Sequence, residues 1–310
     1  MNLLNRHHKR IHSRLKRSYL SILLVTGLFA ATPTCFAEAR LVNDAPDKVA
    51  VYPKPNYGKD PKQRQLIERG ELLTKAGDCI ACHTDIKNDG PSFAGGAGIN
   101  TPFGTFYAPN ITPDKETGIG NWSDKDFIKA MHDGVMPNGS HYFPVFPYPN
   151  FNKLSQSDVL AIKAYMFSIP AVHRVNRESE ITWPFSIRFF QFGWKLLFFY
   201  FQKGQYQYDT THSAEWNQGA YLVQGLGHCG MCHTPHNILG GEKKAYALTG
   251  SFVDGYYAPD ITSNALGDVP IEEIVNVFKK NQKLHNAGKV GGPMAEVNNN
   301  SLRYLPDQDL

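Results

Sequence analysis

The chain has 310 residues, enough for about two domains of ordinary size. It is 42% hydrophobic and only 19% charged, with 27 Gly and 20 Pro, which excludes a disordered chain or coiled coil and points to a loop-rich globular protein. The net charge of +4 comes entirely from the first 37 residues, which hold six basic residues and no acid; taking those six from the 32 Lys and Arg leaves 26 against 28 Asp and Glu, a balance of −2. A nucleic-acid binder keeps its basic excess in the folded part, so no nucleic-acid partner is expected.

In chain order, residues 1–18 are basic, Tyr19 to Ala31 form a short uncharged apolar run, and Pro33 and Cys35-Phe36-Ala37 follow. These are the parts of a secretory signal peptide, so residues 1–37 are expected to be cleaved and the mature chain exported to the periplasm. The apolar run is too short for a span of about 20 residues. A helix is expected from Gln65 to Lys75. A second begins at Ser123, which with Asp126 makes a capping box, and carries Phe127 and Met131 on one face. A third begins at Ser155, with Asp158 completing another box, and Val159, Ile162 and Met166 recur at helical spacing. Trp183 to Phe201 follows, with ten aromatics among its 19 residues. Arg188, Lys195, Pro184 and Gln191 argue against a bilayer span there. The segment reads as a linker packed over both halves; the alternative is an aromatic surface for a membrane interface or a partner subunit. Beyond it, helices are expected over Trp216 to Gly225 and, entered through Pro270, over Ile271 to Lys280.

Once the leader is removed, four cysteines remain, as Cys79-Ile80-Ala81-Cys82-His83 and Cys229-Gly230-Met231-Cys232-His233. An exported chain with every cysteine inside C-x-x-C-H reads as covalent haem c attachment, twice. Each thiol pair can add to one haem's vinyl groups, and His83 and His233 are placed as proximal iron ligands. A thioredoxin-like pair explains neither the duplication nor the histidines. A four-cysteine zinc site would leave both histidines unexplained.

The two halves are copies. An offset of 150 residues relates Cys79 to Cys229, Leu72 to Leu222, Gly77 to Gly227, and Tyr107-Ala108-Pro109-Asn110-Ile111-Thr112 to Tyr257-Ala258-Pro259-Asp260-Ile261-Thr262. The fold expected is all-α: two tandem class I-like cytochrome c domains over 62–172 and 212–310, joined by the aromatic linker 173–211. Leu305 to Leu310 matches Leu154 to Val159, so the chain is expected to continue about ten residues further and supply the second domain's closing helix.

The second motif in context (GAYLVQGLGHCGMCHTPHN, 219–237), the YAPNIT/YAPDIT pair and GGPMAEV (291–297) resemble the cytochrome c subunits of bacterial membrane-bound dehydrogenases, those of the alcohol, aldehyde and gluconate type. The resemblance covers nearly all of the mature chain. It implies a periplasmic electron relay between a dehydrogenase catalytic subunit and quinone or a terminal oxidase, associated with the inner membrane. It also implies Met294 as distal ligand of the second haem, and it places Phe146 where relatives often carry Met. Phenylalanine cannot bind iron, so the first haem's distal candidates are His141, Met136 and Met131, with His141 placed first and a five-coordinate haem as the alternative. His132, His173, His212, His228, His236 and His285 are assigned no role. An electron-transfer subunit is therefore the leading reading. A dihaem enzyme, a peroxidase or sulfur-compound oxidoreductase using the first haem as substrate site, is the alternative. A haem sensor lacks any visible output domain.

Overall fold

Asp60 caps the first helix, α1 (Pro61–Ala76), its carboxylate accepting from the Lys62 N–H at 3.1 Å, while Pro61 presets the first turn. The computed structural model describes residues 48–253, 255–284 and 289–310; the expected leader 1–37, with Cys35, and His285 lie outside them. Strands β1 (Gly98–Thr101) and β2 (Gly104–Tyr107) form a hairpin. Helix α2 (Asp124–Asp133) begins in the expected capping box of Ser123 and Asp126. Helix α3 (Gln156–Met166) begins at Ser155, which accepts from the Asp158 N–H at 3.1 Å. Then come β3 (Glu180–Ile181), α4 (Phe190–Phe198) and α5 (Ala214–Gln224). The hairpin β4 (Ser251–Val253) and β5 (Tyr256–Ala258) and the helices α6 (Ile271–Lys280) and α7 (Gly292–Asn300) follow, with shorter helical turns between the elements.

Two expectations are corrected. The fold is not purely helical: β1, β2 and β3 make an antiparallel sheet, with Gly98 opposite Tyr107 and Gly104 opposite Ile181, and β4 and β5 pair Ser251 with Ala258. Strands this short carry no readable alternation. Asp158 does not close a capping box either. Its buried carboxylate accepts from Arg69 Nε of α1 at 2.6 Å and from the Tyr221 hydroxyl of α5 at 2.6 Å.

The main core forms where α1 crosses α3. Ile67 and Leu73 from α1 meet Val159, Ile162, Tyr165 and Met166 from α3, with Phe127 and Met131 of α2 closing one side. Gly70 is required at the crossing: a Cβ there would lie 2.5 Å from the Ala161 carbonyl carbon and closer still to its oxygen. Leu226 and Leu305 from the second half join the same cluster, and the described residues fall within one compact unit. The two sequence halves are therefore parts of one body.

Helix α4 is amphipathic in the inverted sense. Gln191, Lys195 and Phe199, four residues apart, point inward and are buried, while Phe189, Phe190, Leu196, Leu197 and Phe201 face outward. Lys195 uses all three amine protons: Nζ donates to the carbonyls of Asp133 (2.6 Å) and Gly134 (2.8 Å) and to His141 Nδ1 (2.9 Å). Its charge thereby meets the C-terminal end of α2, the favourable end for a cation.

Candidate haem sites

Each C-x-x-C-H motif forms a single helical turn, Cys79–His83 in the first half and Gly230–His233 in the second. Each is entered through a non-glycine residue with left-handed backbone, Asp78 (φ 48°) and His228 (φ 36°). One turn of helix places the two thiols of a pair and the following imidazole on adjoining positions of the same surface.

The two motif histidines are held alike. His83 Nδ1 lies 2.7 Å from the Pro109 carbonyl oxygen, and His233 Nδ1 lies 2.7 Å from that of Pro259. A carbonyl only accepts, so Nδ1 carries the ring proton and Nε2 keeps its lone pair. Burial pushes both imidazoles below their ordinary pKa, which keeps them neutral. This is the donor state that an iron ligand requires, oriented by its outer hydrogen bond. The two carbonyls belong to the repeated Tyr-Ala-Pro loops. Asn110 is buried and fixes the first loop, accepting from the Thr112 N–H (2.9 Å) and donating to the Val172 carbonyl (2.7 Å); Asp260 accepts from the Thr262 N–H (2.7 Å) in the second.

The thiols fit the same reading. None of the four cysteines is in a disulfide. Partial burial pushes Cys79 up to about 12 and Cys229 up to about 11, opposite to the lowered values of reactive C-x-x-C pairs. Among the described residues, no group of three or more His, Cys, Asp or Glu converges to hold a metal ion.

The distal candidates fall in different surroundings. Met294 is the third residue of α7 and is half-buried, two residues after Gly292. Gly292 has φ 53°, and a Cβ there would come within 2.5 Å of the Tyr256 ring, so a glycine is what lets the chain enter α7 this close to β5. Phe146 packs between Tyr142 (centroids 5.1 Å apart) and Phe151 (5.6 Å). Met131 belongs to the core, and Met136 lies in a turn, its N–H donating to the Ser140 carbonyl at 2.8 Å. His141 is arranged oppositely to the proximal pair. An ammonium only donates, so its Nδ1 accepts from Lys195 and its proton is placed on Nε2, the nitrogen a metal would need. The structure thus ties His141 to α4 and leaves it no lone pair for iron in that tautomer.

Three residues escaped the sequence reading. His132 is buried and its Nε2 has no hydrogen-bond partner. Asp78 is buried with Oδ1 unpaired, and burial, then the nearby Glu296, push its carboxyl well above the usual range. His228 reaches across the halves to the Gly77 carbonyl, and Leu226 Cδ2 would stand 3.1 Å from a Cβ placed on Gly77. The second motif's approach therefore packs on the first motif's approach. Only the position of His228 beside a motif could have drawn attention to it.

The profile of the Cytochrome c family matches residues 67–170. A dihaem cytochrome c-type protein of Cereibacter sphaeroides is 36% identical over 250 residues, covering 78% of this chain and 81% of that protein. The chain belongs to the cytochrome c family. Such a domain carries covalently bound haem c, and the residues above fit it. The chain is also 37% identical over 298 residues to a nicotinate dehydrogenase subunit of Pseudomonas putida, covering 95% of this chain and 24% of that relative. It is 38% identical over 251 residues to the fructose dehydrogenase cytochrome subunit of Gluconobacter japonicus, covering 80% and 51%. The chain thus spans about a quarter and about half of these two relatives.

Proposed function

We propose that this protein is a periplasmic dihaem cytochrome c that relays electrons from a dehydrogenase catalytic subunit towards quinone or the respiratory chain. One haem would be held by Cys79, Cys82 and His83 and the other by Cys229, Cys232 and His233. The observation that carries the reading is the pair of 2.7 Å bonds from His83 and His233 to the Pro109 and Pro259 carbonyls, the same ligand geometry built twice. Haem c supplies the one-electron couple when bound. The chain's part is to fix both imidazoles, to bury the surrounding surface, and to bring the two motif approaches together through His228, Leu226 and Gly77. Relatives named as dehydrogenase cytochrome subunits support the donor class. Met294 is assigned as sixth ligand in the second half.

A pyridine haemochrome assay on acid–acetone-extracted protein tests the reading, with two haems per chain expected. One haem or none refutes it. A second reading, a haem enzyme with substrate at the first haem, draws on Phe146 at a ligand position and on His141 engaged by Lys195. Carbon monoxide binding to the reduced protein separates the two: uptake by one haem favours an open first site, and no uptake favours two closed relays.

A further inference from the structure

Ahead of α1, residues 48–57 form a strap without regular secondary structure. Three hydrogen bonds hold it on the first half: the Ser92 hydroxyl donates to the Val51 carbonyl (2.6 Å), the Tyr165 hydroxyl to that of Pro53 (3.3 Å), and the Asn56 N–H to that of Ser168 (2.8 Å). The same strap grips the C-terminal end of α7 in the second half. The Ala50 N–H donates to Asn300 Oδ1 at 3.0 Å, across 250 residues of sequence, and the Tyr52 hydroxyl donates to the Asn300 carbonyl at 2.7 Å. Ala50 and Asn300 are both buried. A buried N–H without an acceptor is costly, so the strap can lie here only because residue 300 offers a side-chain oxygen. The Asn300 carbonyl is among those that a helix end leaves without an internal partner, and Tyr52 satisfies it. One residue further on, the Ser301 hydroxyl donates to the carbonyl of Ala76, the last residue of α1, at 3.3 Å. Tyr52 is itself fixed. Its ring meets Tyr304 edge-on (centroids 5.3 Å apart), and Lys75 Nζ lies 5.3 Å from both of these ring centroids.

We propose that Tyr52 and Asn300 are positioning residues for Met294: the strap holds α7 from the first half and so keeps the second half's thioether seated on its iron. The proposal rests on the assignment of Met294 as sixth ligand. Helix α7 has nine residues, a rod of about 13 Å, with Met294 in its first turn and Asn300 at its last position. A shift at the far end therefore reaches the sulfur. Within its own half α7 is tied through Asn298, whose Nδ2 donates to the Val277 carbonyl of α6 (2.9 Å) and to Oδ1 of Asn281, the cap of α6 (2.7 Å). That attachment alone leaves the rod free to pivot. The bonds of Asn300 and Ser301 to the strap and to α1 supply a second attachment, on different elements, and stop the pivot. Partners that hold a ligand in place govern how firmly it binds its metal, although they never touch the metal themselves. The second site thus depends on a segment that lies ahead of the first motif in sequence.

The test is titration of the mature, haem-loaded ferric protein with free imidazole, followed at the long-wavelength absorption band that ferric iron gains from a thioether ligand. Imidazole competes with the sulfur, so the concentration that removes half the band measures how firmly Met294 is seated. Tyr52→Phe keeps the ring and deletes one hydrogen bond, and the midpoint is expected to fall about fivefold. Asn300→Ala, which removes the acceptor for Ala50, is expected to lower it at least as far; should that variant fail to fold, Tyr52→Phe decides alone. Tyr57→Phe is the control. It loses a hydroxyl bonded to Glu71 (2.8 Å) on the same strap without touching α7, and should titrate like the wild type. Tyr52→Phe at the wild-type midpoint overturns the proposal. A Tyr57→Phe shift as large as that of Tyr52→Phe overturns it too, since the effect is then general loosening. Met294→Ala tests the premise separately and should abolish the band. If it does while the Tyr52→Phe midpoint stays put, the positioning claim falls and the ligand stands. A band that survives Met294→Ala removes the ligand assignment and the positioning claim together.

Discussion

Replacing Gly70 by alanine sets two physical effects against each other. Inside a helix, alanine is favoured over glycine by about 0.8–1 kcal/mol, so propensity alone says that Gly70→Ala stabilises α1. The crossing says the reverse. The new Cβ would stand 2.5 Å from the Ala161 carbonyl carbon and 3.1 Å from the Tyr165 Cβ. Ordinary carbon contacts are about 3.5–4.0 Å, so α1 and α3 would have to part by on the order of 1 Å. Neither obstacle is a flexible tip, since one is backbone and the other a Cβ. Overpacking of this kind costs about 1–3 kcal/mol, and here the upper end applies, for a net loss of about 2 kcal/mol. At about 2–4 °C per kcal/mol for a domain of this size, melting should fall by about 4–8 °C.

Gly219→Ala in α5 is the internal control, because a Cβ there meets nothing within 4 Å. It should gain about 0.5–1 kcal/mol from propensity alone. Urea unfolding followed by far-UV circular dichroism and by haem absorbance measures both. If Gly70→Ala is as stable as the wild type, the close crossing of α1 and α3 is wrong.

Three further outcomes are expected. Asp158→Asn should cost about 1–3 kcal/mol by urea titration, since it weakens the bonds to both Arg69 and Tyr221, with the Arg69 side chain exposed enough for water to take up part of the loss; a loss under about 0.5 kcal/mol would mean that the carboxylate does not join the halves. Burial holds Lys195 down to about 8, so the folded chain binds fewer protons than the unfolded chain between that value and the ordinary 10.5. Wild-type stability relative to Lys195→Met should therefore rise as pH is raised from about 8 towards 10, and a flat difference across melting curves would contradict the buried amine. Met294→Ala should lower the potential of one haem in a redox titration and leave the other near its starting value, because loss of a thioether ligand removes what favours ferrous iron; two unmoved potentials would exclude Met294 as a ligand.

The residues that were legible in the sequence are those whose meaning is local. Ser123 with Asp126 announced the start of α2, and each C-x-x-C-H announced a single helical turn carrying two thiols and an imidazole, because both are set by residues within one turn. Asp158 shows where local reasoning stops. Its spacing from Ser155 satisfies a capping box, yet Arg69, 89 residues away, and Tyr221, 63 residues away, compete for the same oxygens and win. The aromatic segment shows the same limit. Its composition was plain, but which side faced in depended on Lys195 finding the end of α2 and the His141 ring, contacts that no periodicity encodes. The hairpins were hidden by their length, although the 150-residue offset that relates Tyr107 to Tyr257 already linked β2 to β5.

The repeated halves agree where the backbone does the holding and differ where a single side chain does. Each motif histidine meets a proline carbonyl 26 residues further on, and a carbonyl is present whatever side chain the position carries. Substitution nearby can shift such a bond but cannot delete its acceptor. A distal ligand has no such protection, because it exists only while one position holds a side chain with a donor atom. Met294 carries such an atom in the second half; Phe146 carries none, and the Nδ1 of His141 accepts from Lys195. The two sites can therefore share their proximal chemistry while differing in sixth ligand, and with it in potential, without any change to the helices that build them. On the proposed relay reading, such a pair of unequal potentials would give electrons a preferred direction from one site to the other.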